Sequence, residues 1–217
     1  ALASGCSIIV KPAEQTSLTA LRVAELAHEA GIPRGVLQVL PGDGPSVGEP
    51  LGRHMDVDMV SFTGSTETGR RFLQYAADSN LKKVVLECGG KNPALVFDDA
   101  ENLDHVAEHV VNGAFWNAGQ NCSATSRLIV HSAVKAALLD KINARIREWK
   151  VGNPLDPANH IGALIDKDHC SKVRSYLDDK GDGPFISPAV FEVEADDQRA
   201  RDEIFGPVLC VITVDSN

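Results

Sequence analysis

The chain has 217 residues, of which 43% are hydrophobic, 24% charged and 5% aromatic. This composition is typical of a globular protein with a buried core, and it argues against membrane or disordered segments. The 30 Asp and Glu outnumber the 21 Lys and Arg, giving a net charge of −9, which argues against a nucleic-acid or anionic-membrane partner because phosphate contacts need concentrated positive charge. We therefore expect a small-molecule partner.

Several expectations concern the cellular setting of the chain. There is no run of about 20 apolar residues, and the opening ALASGCSIIVKP lacks the basic leader of a signal peptide. The five cysteines are widely spaced and form no CxxC pair, so they indicate neither a disulfide framework nor a zinc site. We expect reduced thiols and a cytoplasmic location. The chain opens in what resembles a helix end and stops just after a strand, so we interpret it as an excerpt.

The predicted elements of the first part alternate between strand and helix. The short apolar runs CSIIV and GVLQVL predict strands, and between them a helix follows a cap at Thr16 and ends before Gly31. A helix over 46–54, a strand MVSFT and a helix over 65–77 follow, and then come strands in KKVVLE and PALVF. This order predicts a doubly wound α/β fold with a parallel sheet, whose strands are covered on both faces.

The second part of the chain continues the alternation with longer helices. Helices over 103–116 and 132–149 bracket the strand RLIV, and a shorter helix follows over 166–177. The predicted boundary lies near 91–97 and gives two domains, 1–91 and 92–217. No internal repeat or low-complexity segment interrupts either of them.

Three short motifs allow both a functional and a structural interpretation. In PGDGPSVG the glycines follow a strand and open a helix, but their G-x-G-x-x-x-G spacing is one residue longer than the dinucleotide fingerprint, so a plain turn remains open. In SFTGSTETG, Gly64, Ser65 and Thr66 suit either a phosphate or a helix cap. The H-x-x-E-H pattern of HVAEH permits zinc, yet a solvated helix face is favoured, and we assign no metal.

Two residues are candidates for chemistry on their surroundings alone. Cys122 in AGQNCSA has flexible and polar neighbours, which suit an exposed thiolate, although a buried inert thiol is the commoner state of cysteine. Glu87 closes the apolar strand VVL just before two glycines, where parallel sheets place ligand chemistry. A salt-bridged strand end is the structural alternative for Glu87.

Five motifs taken together resemble the NAD-dependent aldehyde dehydrogenase superfamily, in order and along nearly the whole chain. These motifs are KPAEQT, FTGSTETG, LECGGKNP, GQNC and EIFGPV. The resemblance implies a Rossmann-type parallel sheet, incomplete at its N-terminus, followed by part of an α/β catalytic domain. It implies that Cys122 is the nucleophile and Glu87 the general base, and that the full-length protein is a homodimer or homotetramer.

The resemblance also implies cofactor and substrate contacts. NAD is the implied cofactor, with NADP possible, because Glu14 suits ribose hydroxyls while Lys11 could tolerate a further phosphate. The implied cofactor-binding residues are Lys11, Glu14, Gly44, Gly64, Ser65, Thr66, Cys88, Glu203 and Phe205. Asn121 and Ser123 would help to line the aldehyde pocket.

Two further segments bear on the substrate, and two alternative functions remain open. NCSATSRLIVH resembles the betaine-aldehyde and aminoaldehyde branch and QYAADSNLKK the γ-glutamyl-aminobutyraldehyde branch, which favours a nitrogen-bearing aldehyde over a broad aliphatic one. A cofactor-independent cysteine hydrolase would use Glu87, Lys91 and Cys122, in the order of Glu–Lys–Cys amidases, but FTGSTETG and EIFGPV have no role in it. A catalytically incomplete fragment is the third interpretation.

Overall fold

A computed structural model describes residues 1–216, which form two compact units. The first unit covers Ala1–Cys88 and the second begins at Gly89, shortly before the boundary predicted at 91. The assignment of 1–91 and 92–217 to an NAD-binding and a catalytic domain remains a prediction, and Asn217 lies outside the described residues.

The first unit is built from two small parallel sheets and three α-helices, with short 3-10 and π-helical turns between them. Strand β1 pairs with β2, with Ile8 opposite Leu37, and β3 pairs with β4, with Met59 opposite Lys83. The elements in chain order are β1 (Ile8–Val10), α1 (Ser17–Glu29), β2 (Leu37–Val39), α2 (Glu49–Arg53), β3 (Met59–Thr63), α3 (Thr66–Ala77) and β4 (Lys83–Glu87). The predicted order of strands and helices is thereby confirmed, and a π-helical turn at Gly44–Gly48 leads into α2.

The prediction that strands of the first unit are covered on both faces is wrong. Ile9 in β1 is 41% exposed and Met59 in β3 is 49% exposed. Helix α1 buries none of its residues, and Leu18, on its predicted apolar face, is 82% exposed. Each of these sheets has two strands among the described residues, and the helix that follows β1 packs too little against its sheet to bury any of its own side chains.

The second unit contains a four-stranded parallel sheet in the order β5-β6-β8-β7. Its elements are β5 (Asn92–Val96), α4 (Leu103–Phe115), β6 (Thr125–His131), α5 (Ser132–Glu148), α6 (Lys167–Leu177), β7 (Ala189–Glu192), α7 (Gln198–Arg201) and β8 (Val208–Val214). The helices predicted over 103–116, 132–149 and 166–177 are confirmed to within a residue or two at each end.

The main hydrophobic core lies in this second unit. Phe115, Leu128, Leu138 and Ile142 are fully buried around the sheet, and five consecutive residues of β8 starting at Val208 are buried. Burial on both faces of a central strand is the expected state in a parallel sheet with helical layers. This core provides the support for the loops at the sheet's edge. Within residues 1–216, none of the helices combines the length and the apolar character needed to cross a bilayer.

Candidate active site

The carboxyl ends of β3 and β4 bring Glu87 and Gly64 together. Thr63 lies opposite Glu87 in the sheet, and the Gly64 N–H donates to the Glu87 carbonyl at 3.0 Å. Glu87 is exposed, so its carboxylate is open to solvent at the strand end. Gly64 has no room for a side chain, because a Cβ there would lie 2.6 Å from the Phe62 ring. The motif therefore forms a tight strand-to-helix turn beside an accessible carboxylate.

Ser65 and Thr66 lie where helix α3 begins. The Ser65 hydroxyl accepts a hydrogen bond from the Thr68 N–H at 3.2 Å, so Ser65 is the helix cap that the structural interpretation expected. The same turn presents the N-terminus of a twelve-residue helix, whose amide groups and dipole favour an anion. Capping and anion binding are therefore compatible here. Cys88 follows the adjacent strand, and its thiol packs on α3, where a Cβ at Gly69 would lie 3.0 Å from the sulfur.

Lys11 and Glu14 form a local cluster after β1. The Lys11 ammonium donates to Glu14 Oε1 at 3.1 Å, to the Gly42 carbonyl at 2.8 Å and to the Pro12 carbonyl at 2.9 Å. A hydrogen bond from the backbone at Glu14 and the Lys11 ammonium lower the pKa of the Glu14 carboxyl, so it is ionised at neutral pH. An ammonium group has three donors, and all three have partners here.

The turn that contains Gly44 lies next to this cluster. Asp43 caps the turn by accepting from the Ser46 N–H at 2.7 Å. A Cβ built on Gly44 would meet no atom within 4 Å, so this face of the turn is open. The glycine-rich segment is thus a capped turn with free space beside it, which fits the structural interpretation and leaves the face available to a ligand.

In the second unit, Cys122 is exposed, as a nucleophile requires, and the alternative of a buried thiol is wrong. Its sulfur lies 4.0 Å from Asn121 Oδ1, and the same oxygen accepts hydrogen bonds from the Ser123 N–H at 3.2 Å and the Ser123 hydroxyl at 3.1 Å. The Cys122 carbonyl accepts from the Asn92 side chain at 3.0 Å. The thiol is therefore accessible while the backbone around it is held in place.

The residues just before Cys122 follow a strained path that no motif in the sequence predicts. Asn117 and Ala118 have left-handed φ values of 53° and 58°, and Gly119 follows at 70°. Gln120 holds this loop, since its side-chain oxygen accepts from the Ile165 N–H at 2.9 Å and its side-chain amide donates to the Asn117 carbonyl at 3.4 Å. Non-glycine residues in the left-handed region concentrate at functional sites.

Glu203 and Phe205 lie on a second loop, Asp202–Gly206, which we call the cofactor loop after its implied role. Glu203 Oε1 accepts from the Gly90 N–H at 3.2 Å. A Cβ on Gly89 would lie 1.8 Å from Glu203 Oε2, so the lack of a side chain at Gly89 makes room for this carboxylate. A Cβ on Gly119 would lie 2.1 Å from the Gly206 carbonyl oxygen. The segment 117–122, which we call the nucleophile loop, is thus in direct backbone contact with the cofactor loop.

Lys91 carries a buried ammonium group. Its Nζ is buried and has no hydrogen-bond partner among the described residues. Burial lowers the pKa of this ammonium group, and the nearby Arg127 guanidinium lowers it further. Arg127 in turn donates to the Lys91 carbonyl at 2.5 Å. The Lys91–Cys122 hydrogen bond that a Glu–Lys–Cys hydrolase needs is therefore absent from this part of the chain.

The histidine pair of the HVAEH motif lies on the exposed surface of α4. The Nε2 atoms of His105 and His109 are 3.0 Å apart. Glu108 lies 3.8 Å from the Arg145 guanidinium. Within residues 1–216, no group of three or more His, Cys, Asp and Glu side chains is arranged to hold a metal ion.

The structure thus groups the predicted residues within each unit. In the first unit Glu87 joins Gly64, and Lys11 joins Glu14; in the second, the loops carrying Cys122 and Glu203 touch. Asn92, Gln120 and His169 were not among the predicted site residues, and each contacts a residue distant along the chain. Asn92 and Gln120 lie inside the recognised motifs LECGGKNP and GQNC, whereas His169 lies in none of the five, so no local signal marked it.

Comparison with known proteins supports a single family. The family model described as "Aldehyde dehydrogenase family" matches residues 1–217. The aminoacetaldehyde dehydrogenase of Pseudomonas aeruginosa is 60% identical over 229 residues, covering 99% of this chain and 46% of that protein.

Solved structures agree with this match. The γ-glutamyl-γ-aminobutyraldehyde dehydrogenase of Burkholderia cenocepacia has a TM-score of 0.95 at 44% identity, over 100% of this chain and 47% of that one. A Pseudomonas syringae indole-3-acetaldehyde dehydrogenase mutant in complex with NAD+ has a TM-score of 0.96 at 42% identity, over 100% and 47% of the two chains. The α/β fold expected from the sequence is confirmed. This chain spans about half the length of the curated relatives it matches, and it belongs to the aldehyde dehydrogenase family.

Proposed function

We propose that the full-length protein oxidises an aldehyde to a carboxylate with NAD, using Cys122 as the nucleophile. The observation that carries the proposal is the exposed Cys122 thiol on a loop whose backbone is fixed by Asn92 and Gln120. A thiol that is both accessible and positioned is what covalent catalysis requires. Membership of the aldehyde dehydrogenase family gives this thiol its reaction.

The residues of the first unit fit a dinucleotide. The ionised Glu14 carboxylate can accept from ribose hydroxyls, the face beside Gly44 is open, and the start of α3 at Ser65 and Thr66 suits a pyrophosphate. In the second unit, Glu203 and Phe205 would hold the nicotinamide ribose. The Cys88 carbonyl would face the nicotinamide ring, and the bound cofactor would supply the hydride acceptor.

The Lys11 cluster favours NAD over NADP. A 2'-phosphate would meet the negative charge of Glu14, which destabilises it. Lys11 offers little compensation, because its three donors are already bound to Glu14, Gly42 and Pro12. These contacts of Lys11 support NAD as the preferred cofactor in this proposal.

The chain's own residues divide the reaction between them. The Cys122 thiolate attacks the aldehyde carbon and forms a thiohemiacetal, and its own backbone N–H is a donor for the developing oxyanion. After oxidation of this adduct, a thioester joins the substrate to Cys122. Glu87 then takes a proton from water, which attacks the thioester carbonyl and releases the carboxylate and the thiol. The accessible position of Glu87 at the end of β4 suits this role as general base.

For the substrate, we propose a nitrogen-bearing aldehyde, that is an amino or acylamino aldehyde. The 60% identity to an aminoacetaldehyde dehydrogenase supports this class. Trp116, which is 65% exposed and six residues before Cys122, offers an aromatic face of the type that binds ammonium groups. Asn121 and Ser123, which flank the thiol, would line the pocket beside it. A broad aliphatic aldehyde is the alternative.

We further propose that the full-length protein works in the cytoplasm as a homodimer or homotetramer. The five cysteines are all free, which fits a reducing compartment. Light scattering coupled to size exclusion would give the subunit number, and a monomer would contradict the assembly.

The test of the reaction is NADH production by the full-length protein and two cysteine variants. Cys122→Ala should lose at least three orders of magnitude in turnover, because no other side chain can hold the acyl group. Cys6→Ala removes another exposed free thiol and should retain wild-type turnover. Retention of more than about a tenth of the activity in Cys122→Ala would overturn the assignment.

The substrate test compares kcat/KM for aminoacetaldehyde and 4-aminobutanal with that for hexanal. A preference of tenfold, about 1.4 kcal/mol, for either nitrogen-bearing substrate supports the proposed class. A tenfold preference for hexanal would refute the substrate class and leave the reaction unaffected.

A further inference from the structure

One face of helix α6 contacts the cofactor loop. His169, Lys172 and Tyr176 lie at helical spacing and each contacts a different residue of the loop. The Tyr176 hydroxyl donates to Asp202 Oδ2 at 2.7 Å, the Lys172 ammonium to the Glu203 carbonyl at 3.0 Å, and His169 Nε2 lies 2.6 Å from the Phe205 carbonyl oxygen. The loop thus receives one polar contact from each turn of the helix.

The contact of His169 falls at the strained point of the loop. Phe205 has a left-handed φ of 59°, a conformation that a residue with a side chain adopts only when its surroundings stabilise it. A carbonyl oxygen can only accept a hydrogen bond, so Nε2 of His169 carries the hydrogen and donates it. The two rings also meet edge to face with their centroids 6.0 Å apart. The His169 ring therefore stabilises Phe205 by contacting both the Phe205 carbonyl and the Phe205 ring.

The position of His169 is itself fixed by the nucleophile loop. His169 is in the first turn of α6, and its backbone N–H donates to the capping carboxylate of Asp166 at 2.8 Å. The preceding residue, Ile165, donates its N–H to Gln120, two residues before Cys122. A continuous set of contacts thus joins Cys122's loop, the start of α6 and the Phe205 carbonyl.

We propose that His169 is a positioning residue that holds the cofactor loop in its binding conformation through the Phe205 carbonyl. This inference rests on the proposed function, which assigns Glu203 and Phe205 to the nicotinamide ribose. Without the His169 donor, the Phe205 peptide relaxes from the left-handed region and the loop must be reordered each time NAD binds. The cost falls on cofactor binding and not on the reactivity of Cys122.

The test uses three substitutions at His169 in the full-length protein. Gln places its amide nitrogen close to the position of Nε2 and should keep the hydrogen bond, whereas Asn is too short and Leu has no donor. The control is Ser171→Ala, on the same helix, whose exposed hydroxyl donates within the helix to the Lys167 carbonyl at 3.0 Å. Calorimetric titration with NAD gives Kd, and the rate of Cys122 alkylation by iodoacetamide reports on the nucleophile loop.

We expect His169→Leu and His169→Asn to raise the Kd for NAD at least tenfold and the KM for NAD to follow. His169→Gln and Ser171→Ala should stay within threefold of wild type, and alkylation of Cys122 should change less than twofold in all four variants. In the NAD-free protein, hydrogen exchange of the Glu203 to Phe205 amides should be faster in the Leu and Asn variants.

Two results would overturn the inference. One is a Kd for His169→Leu or His169→Asn within twofold of wild type, and the other is equal loss in the Gln and Asn variants. If His169→Leu does not fold, the Kd values for NAD of His169→Asn and His169→Gln still test the inference. If the folded wild-type protein itself binds no NAD, the proposed function fails, and this inference fails with it.

Discussion

Gly119→Ala probes the backbone contact between the nucleophile loop and the cofactor loop. Gly119 has a φ of +70°, which costs an Ala residue about 1–2 kcal/mol. The new Cβ would also lie 2.1 Å from the Gly206 carbonyl oxygen, and a backbone atom cannot rotate away as a side chain can. Overpacking of this kind costs about 1–3 kcal/mol. The two effects together predict a loss of about 2–5 kcal/mol in the free energy of unfolding.

The controls separate the backbone strain from the steric overlap. Gly35 has a φ of +84° and nothing within 4 Å of its Cβ position, so Gly35→Ala should lose about 1–2 kcal/mol. Gly183 is also open and has no left-handed φ, so Gly183→Ala should stay within about 0.5 kcal/mol of wild type. The assay is urea unfolding of the full-length variants alongside NADH turnover. A Gly119→Ala loss no larger than that of Gly35→Ala would refute the steric part of the reasoning.

Four further predictions test the base, the cofactor preference, the buried lysine and the core. Glu87→Gln should keep single-turnover NADH formation while steady-state turnover falls, because only thioester hydrolysis consumes water; equal loss of both phases would contradict this division. Glu14→Gln should raise kcat/KM for NADP relative to NAD about tenfold, since it removes the charge that repels a 2'-phosphate; an unchanged ratio would exclude Glu14 from cofactor choice. The pKa of the Lys91 ammonium group is lower in the folded than in the unfolded chain. Between these two pKa values the unfolded chain binds more protons than the folded chain, so the free energy of unfolding should rise with pH up to about 10.4. Lys91→Met should abolish this rise in urea unfolding series, and a persistent rise would assign it to other groups. Leu128→Ala should cost about 2–5 kcal/mol because Leu128 is fully buried, against less than about 0.5 kcal/mol for Leu155→Ala, where the side chain is 89% exposed.

The sequence was most informative where structure depends on neighbours in the chain. Strand β3 occupies the residues expected from MVSFT, and α3 begins after Ser65, whose hydroxyl caps it. Apolar spacing and capping chemistry act within a few residues, so they can be predicted from a single sequence. The covering of the strands could not be predicted this way, as the exposure of Ile9 and Met59 shows, because it depends on which elements pack together.

Only the site residues that lie inside sequence motifs were predicted. Cys122, Glu87 and Glu203 each lie in a recognisable motif, but no local pattern indicates that Gln120 would accept from Ile165 or that His169 would contact Phe205. The left-handed conformation of Phe205 has no local sequence signal either, and its carbonyl contacts a residue on another element. Contacts between distant segments are set by the fold, and a single sequence gives no measure of them.

The most direct test of the central claim is rapid-quench mass spectrometry of the full-length protein mixed with NAD and aldehyde. The mechanism predicts an acyl adduct on the peptide that contains Cys122, appearing within the first turnover and accumulating further in Glu87→Gln. NADH formed without an adduct on this peptide, or with the adduct on another of the five cysteines, would contradict the account.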